Sequence, residues 1–313
     1  MKVGVIGVGY WGPRHVEEYL SLGIKDILVV DLKPERLEFC KKTYGVETAQ
    51  NYKKIFQDPS ISAVSICTPN ETHYQLCKEA LESGKHVLLE KPMATNYEHA
   101  LDLVKTAKKT DRVLLVGHIF RFNNAIRRVK QMVKQGELGD IQIVRLNWTN
   151  REPVWDRDII FDLAPHPVDI VNFVFPDKKL EQISAIGKPF RKAVGEEAAF
   201  INAIMENALV NFELSWLTPE KIRKFTIVGS DKTVIVDCLT QVISIKDYLR
   251  NETIIINPEI PNNTLRDELN FFINCINDKV NYSHDPNTDV RVVKILETMK
   301  KSLDEKIILN VED

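Results

Sequence analysis

Neither sign of charge dominates this chain. Its 313 residues carry 42 lysines and arginines against 44 aspartates and glutamates, a net charge of −2. Nucleic acid or an anionic membrane surface calls for a basic footprint, so neither is an expected partner. Long hydrophobic runs are missing as well. Ile27–Val30 and Val113–Val116 are among the longest, far short of the ~20 residues a spanning helix needs. Cysteine is scarce: Cys40, Cys67, Cys77, Cys238 and Cys275 are odd in number, far apart and never in a Cys-x-x-Cys. That argues against a disulfide framework and a structural zinc, and for small core thiols in a reduced, cytoplasmic setting. Met1-Lys2 leads directly into the strand-like Val3–Ile6, so no leader peptide is expected. Internal repeats and low-complexity tracts are lacking too.

What remains is the composition of a globular protein, and the length favours two domains. Up to residue 118, short apolar runs alternate with amphipathic stretches. The runs are Val3–Ile6, Asp26–Asp31, Ala63–Cys67, His86–Leu89 and Val113–Gly117. Helical patterns lie between them at Gly12–Ser21, Pro34–Thr43, Thr72–Ser83 and Tyr97–Lys109. Unbroken apolar runs suit strands buried on both faces, and strand–helix alternation implies a doubly wound parallel sheet. After a helix at Asn123–Gln135, the rhythm changes to strand after strand, from Ile141–Trp148 to Thr253–Ile256. This predicts an α/β domain over 1–120 and an α+β domain over 121–313 with a large, mostly antiparallel sheet. Helices at Ala164–Phe175, Leu265–Asn277 and Asp289–Ser302 are expected to cover one face of that sheet. Its apolar positions Ile201, Ala203, Phe212 and Leu214 suit either a subunit interface or the domain's own core.

Gly7-Val8-Gly9-Tyr10-Trp11-Gly12 is a G-x-G-x-x-G placed between a strand and a helix. Asp31 follows 19 residues after Gly12, at the end of the next strand. That context makes it a dinucleotide fingerprint. Gly7 permits the turn, Gly9 lets backbone approach a pyrophosphate, and Gly12 lets helix and strand pack closely; the helix N-terminus offers N–H groups to the phosphates. Asp31 suits ribose hydroxyls and repels a 2′-phosphate, so NAD is expected; Lys33 keeps NADP open.

Four further segments carry candidate chemistry. Glu90-Lys91-Pro92 follows a strand end, the edge of a doubly wound sheet where ligands bind. Lys91 there can stabilise developing negative charge on a substrate oxygen, or it can be an ordinary solvated lysine. In Asp162-Leu163-Ala164-Pro165-His166-Pro167-Val168-Asp169, a helical path puts Asp162, His166 and Asp169 on one face. His166 oriented by Asp162 is a general base for a hydroxyl proton, or else a core histidine beside a capping aspartate. Thr68-Pro69-Asn70-Glu71-Thr72-His73 brings compact hydrogen-bonding groups to the same sheet edge, or only caps a helix. Arg121, within Gly117–Asn123, contacts an acidic substrate group or ties the domains together. Asn123, Trp155 and Arg157 complete the candidate substrate set, the last two lying on a polar stretch that is equally readable as a plain loop.

Taken together, the glycine motif with Asp31, Thr68-Pro69-Asn70 with His73, Glu90-Lys91-Pro92, Arg121-Phe122 and Asp162-x-x-x-His166 resemble the glucose–fructose oxidoreductase, inositol dehydrogenase and rhizopine-catabolism (Gfo/Idh/MocA) family over essentially the whole chain. The resemblance implies an NAD(P)-binding Rossmann domain and an open-faced sheet domain for substrate and oligomerisation. It implies oxidation of a secondary alcohol on a sugar-like ring by a homodimer or homotetramer. Lys91 then bridges coenzyme and substrate, His166 is the acid/base and Asp162 assists it; Gly7, Gly9, Tyr10, Trp11, Gly12, Asp31, Thr68, Asn70, His73 and Glu90 join Lys91 at the coenzyme. Gly9–Pro13 and Asp162–His166 look like the branch that oxidises the 3-hydroxyl of UDP-linked N-acetylglucosamine or its uronate, with free sugars and inositols as the alternative. One departure is local: Asp158-Ile159-Ile160-Phe161 replaces the usual glycine-rich lead-in to the Asp-x-x-x-His pair.

Overall fold

The computed structural model describes residues 1–154, 157–191, 195–277 and 285–311. The chain divides into two compact units, one of Met1–Ile119 with Asn263–Val293 and one of Phe120–Asn262 with Lys294–Asp313. No described helix is long and apolar enough to cross a membrane.

The first unit opens with β1 (Lys2–Ile6), α1 (Gly12–Ser21), β2 (Ile27–Val30), α2 (Pro34–Tyr44), β3 (Glu47–Ala49) and α3 (Lys53–Gln57). It continues with β4 (Ile61–Ile66), α4 (His73–Glu82), β5 (His86–Leu89), α5 (Tyr97–Thr110) and β6 (Leu114–Val116). The six strands lie in the order β3-β2-β1-β4-β5-β6, all parallel. This is the doubly wound sheet read from the sequence. Successive residues of a strand point to opposite faces. Accordingly, Leu28 and Val30 join one core with α3, α4 and α5, while Ile27 and Val29 join the other with α1 and α2. Glycine and proline set the joints: Pro34 opens α2 and Gly45, at φ 68°, closes it.

The second unit contains α6 (Asn124–Lys134), β7 (Ile141–Arg151), α7 (Ile159–Leu163), α8 (Pro165–Val174), β8 (Gln182–Lys188), β9 (Ala198–Met205) and β10 (Ala208–Ser215). Next come β11 (Leu217–Gly229), β12 (Lys232–Asp237), β13 (Val242–Asp247) and β14 (Glu252–Ile256). After them the chain forms α9 (Thr264–Ile276), α10 (Asn287–Glu305) and β15 (Leu309–Asn310). Nine strands make one sheet in the order β14-β13-β12-β11-β7-β10-β9-β8-β15. Only β7 and β10 run parallel; the other described pairings are antiparallel.

One expectation is corrected here. Helix α9 does not cover the second sheet. Its stripe of Leu265, Leu269 and Phe272 is buried with Val16 and Tyr19 of α1 in the first unit's core, where each such side chain stabilises by roughly 1.5–3 kcal/mol. Val290 and Val293 at the start of α10 join the first unit's other core. The first unit thus takes Asn263–Val293, from late in the chain, besides Met1–Ile119. Of the two uses left open for the sheet's apolar positions, burial decides for the domain's own core. Ile201, Ala203, Phe212 and Leu214 are buried; the exposed side instead carries Ile143, Ile186, Phe200 and Leu209. Apolar residues occupy both faces of these strands, so alternation alone left the covered side undecided.

Candidate active site

The three glycines of the first loop have different physical reasons. Gly7 has φ +86°, and a Cβ there would lie 2.8 Å from the Thr68 methyl. A Cβ on Gly12 would lie 2.1 Å from the Gly7 carbonyl oxygen, so no larger residue fits without moving backbone. Packing thus explains both. It does not explain Gly9, whose Cβ would meet nothing nearer than Arg36 at 3.5 Å. The missing side chain leaves the backbone at the start of α1 approachable beside the Arg36 guanidinium, where unpaired N–H groups and the positive helix end suit a pyrophosphate. Tyr10, on the same loop, is exposed, and Arg14 donates to its carbonyl while lying 3.9 Å from its ring centre. Trp11 meets the Tyr10 ring edge-on.

Asp31 lies just past the end of β2 and is buried. Its Oδ2 accepts from Val8 N at 2.8 Å and its Oδ1 from Lys33 N at 2.9 Å. Arg36 donates to Oδ2 at 3.3 Å. The sequence reading missed Arg36, because its approach to Asp31 depends on the turn into α2.

A chain of contacts runs along the carboxyl edge of this sheet. The Gly7 backbone packs against Thr68, whose hydroxyl accepts from Thr72 at 2.7 Å. Asn70 opens a single 3-10 turn before α4. His73, fully buried, places Nε2 2.9 Å from the Thr68 carbonyl and Nδ1 2.8 Å from the Pro92 carbonyl. Burial pushes its pKa down against the pull of those two carbonyls. His73 is thereby a fastener between the loops after β4 and β5, its ring atoms already engaged.

Glu90 is held just as closely. Its Oε1 lies 3.0 Å from Nε2 of buried His15 on α1, and its Oε2 accepts from Lys91 N at 3.3 Å. Burial alone would raise the Glu90 pKa, but the His15 hydrogen bond and charge, with Lys91, hold it below the usual carboxylate range. Gly117, past β6, leaves just enough room: a Cβ there would sit 3.4 Å from Glu90 Oε2. Lys91 therefore stands between two anchored neighbours, Glu90 and Pro92. His15 is 75 residues from Glu90 in sequence, a separation that local pattern does not bridge.

In the second unit, the Asp158-Ile159-Ile160-Phe161 departure builds a helix of its own. Asp158 Oδ1 caps α7 by accepting from Ile160 N at 2.8 Å and Phe161 N at 3.3 Å. Ala164, at helical φ and ψ, joins α7 to α8, and Pro165 takes the tolerated first position. Asp162 and His166 thus stay about one turn apart across the joint. The Phe120 ring meets the His166 imidazole edge-on at 5.1 Å and the Trp148 ring at 5.0 Å. Arg157 Nη1 is 3.8 Å from Asp162 Oδ1. Sequence reasoning missed Arg223 on β11, which donates to the carbonyls of Thr149 and Ile222 and to Asn150 Oδ1 at 2.8–2.9 Å. Burial lowers its pKa to about 10, against the opposing charge of Asp162.

Two substrate candidates turn out to have structural engagements. Asn123 is buried and caps α6, its Oδ1 accepting from Ala125 N and Ile126 N while Nδ2 donates to the Cys238 carbonyl at 3.0 Å. Such a cap contributes about 1 kcal/mol. Arg121 donates through Nε at 2.8 Å, and through Nη2, to Oδ1 of buried Asp169; both belong to the second unit, so this pair ties α8 to the segment before α6. Trp155 and its neighbour Asp156 lie outside the described residues.

A profile of an oxidoreductase family with an NAD-binding Rossmann fold matches residues 1–118, and a profile of the Gfo/Idh/MocA C-terminal domain matches residues 126–235. The chain belongs to the Gfo/Idh/MocA family. As a member, it has an NAD-binding Rossmann domain in its first unit, and packing leaves Gly9 without a structural reason of its own, as close approach of that coenzyme's pyrophosphate would require. Among curated relatives, myo-inositol 2-dehydrogenase of Thermotoga maritima is 27% identical over 197 residues, 60% of this chain and 58% of that protein. The match thus spans less than two thirds of that relative's length. Among solved structures, the UDP-N-acetylglucosamine 3-dehydrogenase of Acidithiobacillus ferrooxidans superposes with a TM-score of 0.84 at 23% identity, covering 97% of this chain and 98% of that one. The scyllo-inositol dehydrogenase of Lactobacillus casei gives 0.84 at 20% identity, covering 99% of each. At these identities the likeness establishes a shared fold.

Proposed function

We propose that this Gfo/Idh/MocA protein is an NAD-dependent dehydrogenase acting on a secondary hydroxyl of a sugar-like ring. Its preferred substrate is a UDP-linked N-acetylhexosamine, or the corresponding uronate, oxidised at the 3-hydroxyl. The observation that carries this reading is the fastening of Lys91. His15, Glu90, His73 and the Pro92 carbonyl fix its backbone on both sides, at the sheet edge that also carries the glycine loop. A solvated surface lysine needs no such support; a group that must meet a reacting oxygen does.

The alcohol loses a hydride and a proton and becomes a ketone. NAD⁺, when bound, supplies the hydride acceptor. His166 accepts the hydroxyl proton, and Asp162 assists it. Lys91 donates a hydrogen bond to a substrate oxygen as negative charge develops on it. Gly7, Gly9, Tyr10, Trp11, Gly12, Asp31, Thr68 and Asn70 form the coenzyme cradle, with His73 and Glu90 acting through the backbone they hold. Arg157, and Trp155 near it in sequence, belong to the substrate side.

The nucleotide-sugar assignment draws on the likeness of Gly9–Pro13 and Asp162–His166 to that branch, and the A. ferrooxidans enzyme houses such chemistry in the same fold. Inositols or free sugars are the second reading, favoured by the T. maritima relative. A coenzyme-binding regulatory protein on this fold would not need Lys91, Asp162 and His166 together. The test incubates the purified protein and NAD⁺ with UDP-N-acetylglucosamine, its uronate, myo-inositol or glucose. We expect NADH formation and a raised Tm selectively with a UDP-sugar. Turnover of inositol or glucose alone would transfer the function to the second reading. No turnover with any donor, and no reoxidation of NADH by a keto-sugar, would exclude catalysis on this class.

The exposed side of the nine-stranded sheet supports a homo-oligomer. Leu209 lies beside Ile143 in register and Phe200 beside Ile186, with 61, 38, 49 and 71% of their surfaces exposed. An apolar band of this kind suits a second copy of the chain. Light scattering is expected to report a dimer or tetramer, and Leu209→Glu with Phe200→Glu to dissociate it; a monomeric wild type at all concentrations would refute the assignment. The five cysteines are all free thiols, consistent with action in a reducing compartment.

A further inference from the structure

An aspartate at the end of the second strand rejects a 2′-phosphate only when its charge and its oxygens face the ribose. Asp31 is only 7% exposed and is fully engaged in the fold: Val8 N and Lys33 N hold one oxygen each, and Arg36 Nη1 shares Oδ2. Of that ion pair, Arg36 is the accessible member, with 41% of its side chain exposed. Its guanidinium is also the group that overhangs the glycine loop. Nη1, Cζ and Nη2 stand 3.5, 3.8 and 3.9 Å from where a Gly9 Cβ would be, and nothing else comes as near.

Arg36 lies in the first turn of α2, where its amide bonds the Lys33 carbonyl at 3.1 Å. Lys33, the residue that caps this helix, is a second exposed cation, and the helix N-terminus adds its positive end. The Asp31 charge is therefore matched by Arg36, and Lys33 offsets Glu35 in the first turn of α2, so the strand end carries no net negative charge. A planar guanidinium beside the loop offers two things to an adenosine: a flat face for the base and paired N–H donors for a phosphate on the ribose.

We propose that Arg36 forms a wall of the adenosine subsite and that, by offsetting Asp31, it admits NADP(H) alongside NAD(H). The inference rests on the oxidoreductase reading only in that the glycine loop binds a dinucleotide. It relaxes the preference for NAD that the aspartate alone suggested.

The experiment is a fluorescence titration of the purified chain with NADH and with NADPH, paired with thermal shifts from ADP and from adenosine 2′,5′-bisphosphate. Wild type is expected to bind NADPH within about tenfold of NADH. In Arg36→Ala, NADPH binding should weaken at least about tenfold more than NADH binding, and the extra shift given by the 2′-phosphate should vanish. Arg36→Lys should restore part of both. Arg36 is exposed and packs no core, so the variant is expected to fold; an unchanged Tm without ligand verifies this. A wild type that binds NADH but discriminates against NADPH by more than about a hundredfold, or an Arg36→Ala variant with an unchanged NADPH/NADH ratio, overturns the proposal. Binding of neither nucleotide overturns it together with the reading it rests on.

Discussion

Lys91→Ala is expected to lower turnover by about two to three orders of magnitude or more while leaving NADH binding largely intact. The size follows from the loss of a preorganised donor to a developing oxyanion, which costs about 10²–10³ where such donors are removed singly. The retention follows from the structure around it. Glu90 keeps its bond to His15, and the backbone N–H of residue 91 still donates to Glu90, because neither contact uses the lysine side chain. Stopped-flow NADH binding and steady-state kcat, measured on the same preparation, separate the two effects. Turnover close to wild type would return Lys91 to the status of a surface residue.

The second large effect belongs to His166. If His166 is the general base proposed above, its replacement by alanine is expected to cost about 10²–10⁴ in kcat. The shape of the pH profile should change with it. A protonated imidazole cannot accept the hydroxyl proton, so wild-type turnover is expected to fall toward acid and His166→Ala to lose that dependence. Phe120 packs against the ring, and its contact with Trp148 survives the substitution, so a folding defect is not expected to mask the result. An acid limb that persists unchanged in the variant would assign it to another group. The double variant adds a sharper comparison. Losses at two groups that serve one chemical step are expected to be non-additive; fully additive losses would mean that Lys91 and His166 serve separate steps.

Much of the first unit was legible because its signals are local. A strand, a glycine loop and a helix within one βα unit leave their period and their turn residues in adjacent positions. Gly12–Ser21 as a helix and His86–Leu89 as a strand needed nothing else. Long-range pairing was not legible. His15 and Glu90 meet across 75 residues, and Arg223 reaches Thr149 across 74; no local pattern encodes either. Helix α9 shows another limit. Its apolar stripe announces that Leu265, Leu269 and Phe272 are buried, but periodicity does not name the sheet they are buried against. Asn123 illustrates competition between roles: a polar residue at a segment boundary reads as a ligand contact or as a cap, and its acceptance from Ala125 N and Ile126 N decides for the cap. Beside Asp162, the α7 helix arises from the one stretch that departs from the family pattern, where Asp158 supplies a cap in place of flexible glycine.

The return of the chain to its first unit has a bearing on biosynthesis. The coenzyme domain is not a contiguous N-terminal piece: the side of its sheet that carries Val3, Val5 and Val29 is completed by Leu265, Leu269 and Phe272. A nascent chain cannot close that side until most of the protein has left the ribosome. Domains that fold as units during synthesis normally do so from the N-terminus onward; here the glycine loop must wait, half-covered, for a helix translated more than two hundred residues later. A fragment cut at residue 120 lacks Leu265, Leu269 and Phe272 from that core and is expected to bind nucleotide more weakly than the full chain.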